Sequence, residues 1–257
     1  MTVTDLRPAH PKISAPTRAE RPVEPSRQRA AWPRRASVRR ELTAAGLLGA
    51  AFVVVTTLAA GPLERVDASL RGRWVLGVTP GLEPLFQDVL DKLASQAICV
   101  PVLAAVAIAI AVRRRSWRPI AVAGGAELAW LVVVGALKVL FARPAPALGN
   151  PAFYEGGLWS LGEMGVSYPS GHAAEVFLIY GAAVHLVHRY TGVGRHWVRV
   201  MRILVGALAV NTVVVSFWLG WHWLTDLVGG LLVGGCLLAI LIAVDRRLAP
   251  VTAPSPG

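Results

Sequence analysis

Polar and apolar positions along the chain are sorted into long blocks. Six apolar runs, at roughly 42–60, 95–112, 119–140, 171–188, 202–221 and 224–243, are separated by polar or basic stretches. A helix of about 20 such residues crosses ~30 Å of hydrocarbon, so each run is long enough to span a bilayer. The two closest pairs of runs meet at very short turns, one basic at 113–118 and one aromatic and polar at 221–223. Residues 62–94 break the pattern: they are mixed in character and carry Pro62, Pro80 and Pro84, which suits an amphipathic segment at the membrane interface better than a further span. The expectation is an all-α fold, a six-span transmembrane helix bundle over residues 41–246. A disordered tail at 1–40 and a flexible end at 247–257 would flank it.

Composition supports this class. Hydrophobic residues make up 54% of the 257, more than an ordinary soluble domain holds. The net charge of +11 raises the question of nucleic acid, but the basic residues flank the apolar runs and fill the N-terminal tail, so no nucleic-acid partner is expected. Residues 1–40 hold nine arginines and six prolines, a composition that does not bury a core and suits contact with anionic lipid headgroups. Lys and Arg concentrate at 113–118, at Arg189, Arg195, Arg199 and Arg202, and at Arg246 and Arg247. By the positive-inside rule these mark the cytoplasmic side, with both termini inside a cell membrane and residues 62–94, 142–170 and 221–223 outside. Cys99 and Cys236 each fall within an apolar run and read as small buried hydrophobes rather than a disulfide or a metal knuckle. The glycines of "GGLLVGG" at 229–235 stand at helix-packing spacing.

Against this background the polar residues of the outer side stand out. Lys138 lies near the outer end of the third run, followed by Arg143 in "FARPAP". Pro169-Ser170-Gly171-His172 opens the fourth run, and His222 with Asp226 opens the sixth. Lys138 alone could simply snorkel to the headgroups. Two histidines and an aspartate on the same leaflet favour a site. His222 and Asp226 are four apart, so they share a helix face, and the carboxylate can hold the imidazole in one tautomer. An oriented neutral imidazole serves as a nucleophile or a general base. The start of a helix at Ser170-Gly171 offers free backbone N–H groups to an anion, with Ser170 as cap, His172 beside it as an acid, and Lys138 and Arg143 adding positive charge. Phosphate fits such a set, since phosphoryl transfer depends chiefly on charge compensation and positioning. No carboxylate cluster points to a metal, so a metal-independent reaction without a cofactor is expected.

"YPSGHA" at 168–173 and "WLGWHWLTDLVGG" at 218–230, preceded by Lys138, resemble the three signature motifs of the type-2 phosphatidic acid phosphatase superfamily. Its members are integral-membrane lipid phosphatases related in fold to vanadium haloperoxidases and acid phosphatases, and the resemblance covers about residues 42–245. It implies His222 as the nucleophile forming a phosphohistidine, Asp226 orienting it, and His172 protonating the leaving group. Ser170, Gly171 and Lys138 would bind the phosphate of a lipid phosphate or polyprenyl diphosphate. Two motif arginines are absent: Ala145 stands where the first motif carries one, and Ser216, preceded by Val215, where the third does. Arg143, two residues before the expected place, is the candidate to compensate. The alternatives are a related enzyme that transfers or cyclises a phosphorylated lipid and a non-catalytic binder of lipid headgroups. Neither the lipid nor the oligomeric state follows from the sequence.

Overall fold

Six long helices carry the fold, and no strand occurs among the described residues. The computed structural model describes residues 27–248, with side chains from Ala36 onward. The helices are α1 (Arg27–Ala59), α2 (Gln96–Arg114), α3 (118–141), α4 (171–190), α5 (Arg195–Trp218) and α6 (Leu224–Leu248). Helix α1 begins at Arg27, so it takes in the last part of the segment expected to be a disordered tail. Its arginines, alanines and glutamine are good helix formers, and they offset Pro33, which lacks the N–H that an interior helical position donates. The rest of the expected tail, 1–26, and the end from 249 lie outside the described residues.

The burial pattern is the reverse of a soluble bundle. Leu47, Val53, Leu131, Val132, Ile203 and Val210 face outward and are exposed. Asp67, Asp91, Arg143, Glu175, Asp226 and Asp245 are buried. A contiguous apolar exterior of this extent suits hydrocarbon rather than water. Five helical stretches are long and apolar enough to cross a membrane: Ala36–Ala59, Pro80–Arg114, Arg118–Leu148, Arg195–Trp218 and Leu224–Leu248. The sequence pattern predicts six. The difference is α4, which is comparable in length but carries His172, Glu175, His185, His188 and Arg189. Most of α4 is packed inside the bundle, where its polar groups meet protein partners, so it does not need the apolar composition of a lipid-facing helix.

The main apolar core lies between α2, α3 and α4, through Leu103, Ile110, Ala126, Leu178 and Leu186. Helix α1 lies along α6, where Cys236 Sγ approaches Ala45 O at 3.3 Å. The stretch from 60 to 95 is helical in short pieces, among them Glu64–Ser69, Trp74–Val78 and Leu85–Leu90. Expected to lie at the interface, this segment also turns inward: Asp67, Val75 and Asp91 are buried against α5 and the start of α6.

Glycines set the distance between α4 and α6. A Cβ on Gly230 would stand 2.5 Å from Ser170 O, and one on Gly234 would stand 2.4 Å from Ala174 O. Only residues without a side chain let the two backbones approach so closely. The backbone N–H of Ser170 then reaches Asp226 O at 3.0 Å. The small-residue run at 229–235 therefore places the beginning of α4 against the beginning of α6, where the polar clusters lie.

Candidate active site

At the start of α6, His222 sits in the turn before the helix and Asp226 in its first turn. His222 Nδ1 lies 3.4 Å from Asp226 Oδ2, and the same oxygen accepts the Trp223 backbone N–H at 3.0 Å. Asp226 is fully buried, whereas the His222 side chain remains 13% exposed. Nδ1 thus faces the carboxylate, and the imidazole also meets the backbone of Ser167. Burial holds the His222 imidazole below its usual range, against the opposing pull of the Asp226 carboxylate, so the ring is neutral at neutral pH. A neutral ring with one nitrogen tied to a carboxylate is the form a nucleophile requires.

Behind Asp226 stands Arg143, with 0% exposure. Its Nη1 donates to Asp226 Oδ1 at 2.6 Å and to Thr225 Oγ1 at 2.7 Å, its Nη2 to Asp67 Oδ2 at 2.8 Å, and its Nε to Pro151 O at 2.7 Å. The guanidinium also lies 4.8 Å from the centre of the Phe153 ring and 5.5 Å from that of Trp223. Thr225 closes the group by bonding Asp67 through both its hydroxyl and its backbone N–H. The sequence suggests Arg143 as a phosphate ligand. The structure places it differently, because its donors are engaged by protein and it has no exposed face. It holds Asp226, and Asp226 faces His222.

The second half of the site is the start of α4. Ser170 caps the helix, its Oγ accepting from Ala173 N at 3.4 Å. Lys138, on α3, donates from Nζ to Val166 O at 2.7 Å, and its chain lies beside Gly171, where a Cβ would be 3.7 Å from Lys138 Cε. From the π-type stretch Trp130–Val134 of the same helix, Trp130 Nε1 donates to Gly171 O at 3.3 Å. His172 is about one-third exposed and stands 3.6 Å from Asp91 Oδ2 through its Nε2. It is also within electrostatic range of His222 and Lys138. Lys138, Ser170, Gly171, His172, His222 and Asp226 thus gather at one end of the bundle, with Arg143 packed behind them.

Asp67, Asp91 and Thr225 complete this arrangement, and sequence reasoning did not single them out. Two carboxylates within a stretch expected to lie flat on the membrane, on the same side as the histidines, were the available signal. Among the described residues no group of three or more His, Cys, Asp or Glu side chains is arranged to hold a metal ion.

Residues 100–249 match the family model of the PAP2 superfamily, a stretch longer than half the chain. The chain belongs to the PAP2 superfamily. Its fold is also similar to the crystal structure of a transmembrane PAP2-type phosphatidylglycerolphosphate phosphatase from Bacillus subtilis. That likeness has a TM-score of 0.66 at 16% identity and covers 81% of this chain and 98% of that one. No curated protein matches the chain. The PAP2 family match and the apolar exterior make this a membrane protein of the lipid phosphatase type. Against that family the two departures are now visible in space. Ala145 is buried, its N–H bonded to Met164 O at 2.7 Å. Ser216 is fully buried with its Oγ 3.5 Å from Asp91 Oδ1, so a carboxylate stands near the place expected for a phosphate-binding arginine.

Proposed function

We propose that the protein is an integral-membrane phosphatase that hydrolyses a lipid phosphate or polyprenyl diphosphate through a phosphohistidine at His222, without a metal. It works at the extracytoplasmic face of the cell membrane, with both termini in the cytoplasm. The observation that carries this reading is the His222–Asp226–Arg143–Asp67 chain, which ends in a partly exposed imidazole. One guanidinium faces two carboxylates there, leaving one net negative charge behind the histidine. Nε2 attacks phosphorus and the P–O bond to the lipid breaks. The positive charge that develops on the ring is then balanced by Asp226. His172 gives its proton to the departing oxygen. Water, giving a proton to His172, then attacks the phosphorus and breaks the P–N bond, releasing inorganic phosphate and the free His222 ring. Lys138 and the N–H groups at the start of α4, with Ser170 and Gly171, hold the phosphoryl oxygens. Asp91 orients His172 as Asp226 orients His222.

The test is phosphate release from a series of lipid phosphates and diphosphates by the purified protein. Wild type should release phosphate and form a phosphoprotein that is labile in acid and stable in base. His222→Ala should do neither. Release that persists in His222→Ala, or no release from any lipid, would overturn the reading. A second reading, transfer or cyclisation of a phosphorylated lipid, has one observation in its favour. Asp91 beside Ser216 makes that side of the site less suited to a doubly charged phosphate than an arginine would. Lipid turnover without free phosphate identifies it.

A further inference from the structure

The cleft in front of His222 contains an arginine that belongs to none of the family's motifs. It is lined by His222, Asp67, Arg71, Pro146, Gly220 and Trp223 among others. Arg71 comes from the turn between the short helices Glu64–Ser69 and Trp74–Val78, and it is exposed. Its guanidinium extends over the loop that follows Ala145. A Cβ on Gly149 would stand 2.3 Å from Arg71 Nη1, so the guanidinium occupies the space that glycine leaves open. Gly149 has φ of +81°, a conformation that also favours glycine, so the loop turns under the arginine without a side chain in the way.

The neighbouring arginines are committed elsewhere. Arg143 is buried and bonded to Asp226, Asp67, Thr225 and Pro151. Arg73 pairs with Glu83 at 2.7 Å. No carboxylate among the described residues lies within ion-pair distance of the Arg71 side chain. An uncommitted guanidinium lining the same cleft as His222, over the loop where the first motif carries its arginine, has the chemistry to take two phosphoryl oxygens at once.

We propose that Arg71 binds the substrate phosphate at His222, replacing from another part of the chain the arginine that Ala145 lacks. The proposal rests on His222 as the phosphoryl acceptor. It also accounts for the local charge: a phosphate entering the cleft meets the net negative charge of Asp67, Asp226 and Arg143, and Arg71 offsets it. The family's clamp is then not lost but supplied by the segment before α2.

The test compares wild type, Arg71→Ala, Arg71→Lys and Arg65→Ala as full-length proteins in detergent. Arg65 is an exposed arginine on the same segment that does not line the cleft. Two readouts are taken: kcat/KM on a short-chain phosphatidic acid, and the rise in unfolding temperature produced by orthovanadate, a phosphate mimic. Arg71→Ala should lose the vanadate shift and fall about 10- to 100-fold in kcat/KM, the range for a lost hydrogen bond to a charged group. Arg71→Lys should recover only part, since an ammonium lacks the fork. Arg65→Ala should behave as wild type. Arg71→Ala that matches Arg65→Ala in both readouts overturns the proposal, as does a wild-type protein that vanadate does not shift. If wild type hydrolyses no lipid yet its vanadate shift depends on Arg71, the anion site stands and the phosphatase reading alone fails.

Discussion

Arg143 is the residue on which the local electrostatics turn. It is enclosed by two carboxylates, a hydroxyl and a carbonyl, with none of its surface exposed. Removing one partner of a buried ion pair leaves an uncompensated charge, which costs about 3–5 kcal/mol. Arg143→Ala should therefore lower the unfolding temperature in detergent well below that of Arg71→Ala. Adding Asp67→Asn should restore part of the loss, because one stranded carboxylate is then removed. A phosphate ligand with no structural duty would behave otherwise, and an Arg143→Ala protein that melts like wild type would show that the enclosure carries no weight. Position in sequence hinted at Arg143, two residues from the vacant motif place, but only the path of the chain reveals what it touches. Ser170, His172, His222 and Asp226 stood out as candidates because short spacings encode them, a capped helix start and a histidine and aspartate four apart, and Lys138 because it is a cation at the end of an apolar run. Asp67 and Asp91 were not, because their partners lie far along the chain, 76 residues away for Asp67 and Arg143 and 125 for Asp91 and Ser216.

Among the elements, α4 and α6 form the axis of the site. At one end Ser170 N–H meets Asp226 O. At the other, Asp245 of α6 takes His185 at 2.8 Å, Tyr190 at 2.6 Å and Arg189 at 2.8 Å, all from α4. Between these ties the glycines of α6 fix how closely the helices lie. Gly230→Ala would put a methyl group 2.5 Å from Ser170 O, a backbone atom that moves only with the helix. Overpacking of this kind costs about 1–3 kcal/mol. A shift of ~1 Å at the start of α4 is enough to reduce turnover about 10²-fold. Gly235→Ala is the matched control, since its methyl would meet only the end of the Leu48 side chain at 3.3 Å. Phosphate release should collapse in the first variant and survive in the second; equal activity in both would refute the idea that glycine spacing positions Ser170 and His172. The apolar runs announced these helices well, since a span is a local property of about 20 residues. Helix α4 shows where that signal fades. A helix surrounded by other helices is free to carry histidines and a glutamate, so its apolarity falls below that of its lipid-facing neighbours.

At the scale of the whole molecule, charge is divided between the two ends. Arg113, Arg114, Arg115 and Arg118, the stretch from Arg195 to Arg202, and Arg246 with Arg247 gather at one end, where Arg114 Nε reaches Tyr190 O at 2.8 Å and Arg246 pairs with Glu41 at 3.0 Å. The site lies at the other end, beneath the loop of 142–170. If this arginine-rich end lies on the cytoplasmic side, substrate enters from outside the cell. Cysteine labelling tests this directly, because Cys99 is fully buried and Cys236 lies against Ala45, so both can be replaced by alanine to give a silent background. A cysteine at Ser160, exposed in the 142–170 loop, should react with a membrane-impermeant maleimide in intact cells. A cysteine at His196, exposed at the basic end, should react only after the membrane is permeabilised. The reverse pattern would place the histidines in the cytoplasm and make the substrate an inner-leaflet lipid. In the expected pattern the arginine-rich ends hold the bundle in one orientation, and the cleft at Arg71 and His222 opens to lipids of the outer leaflet.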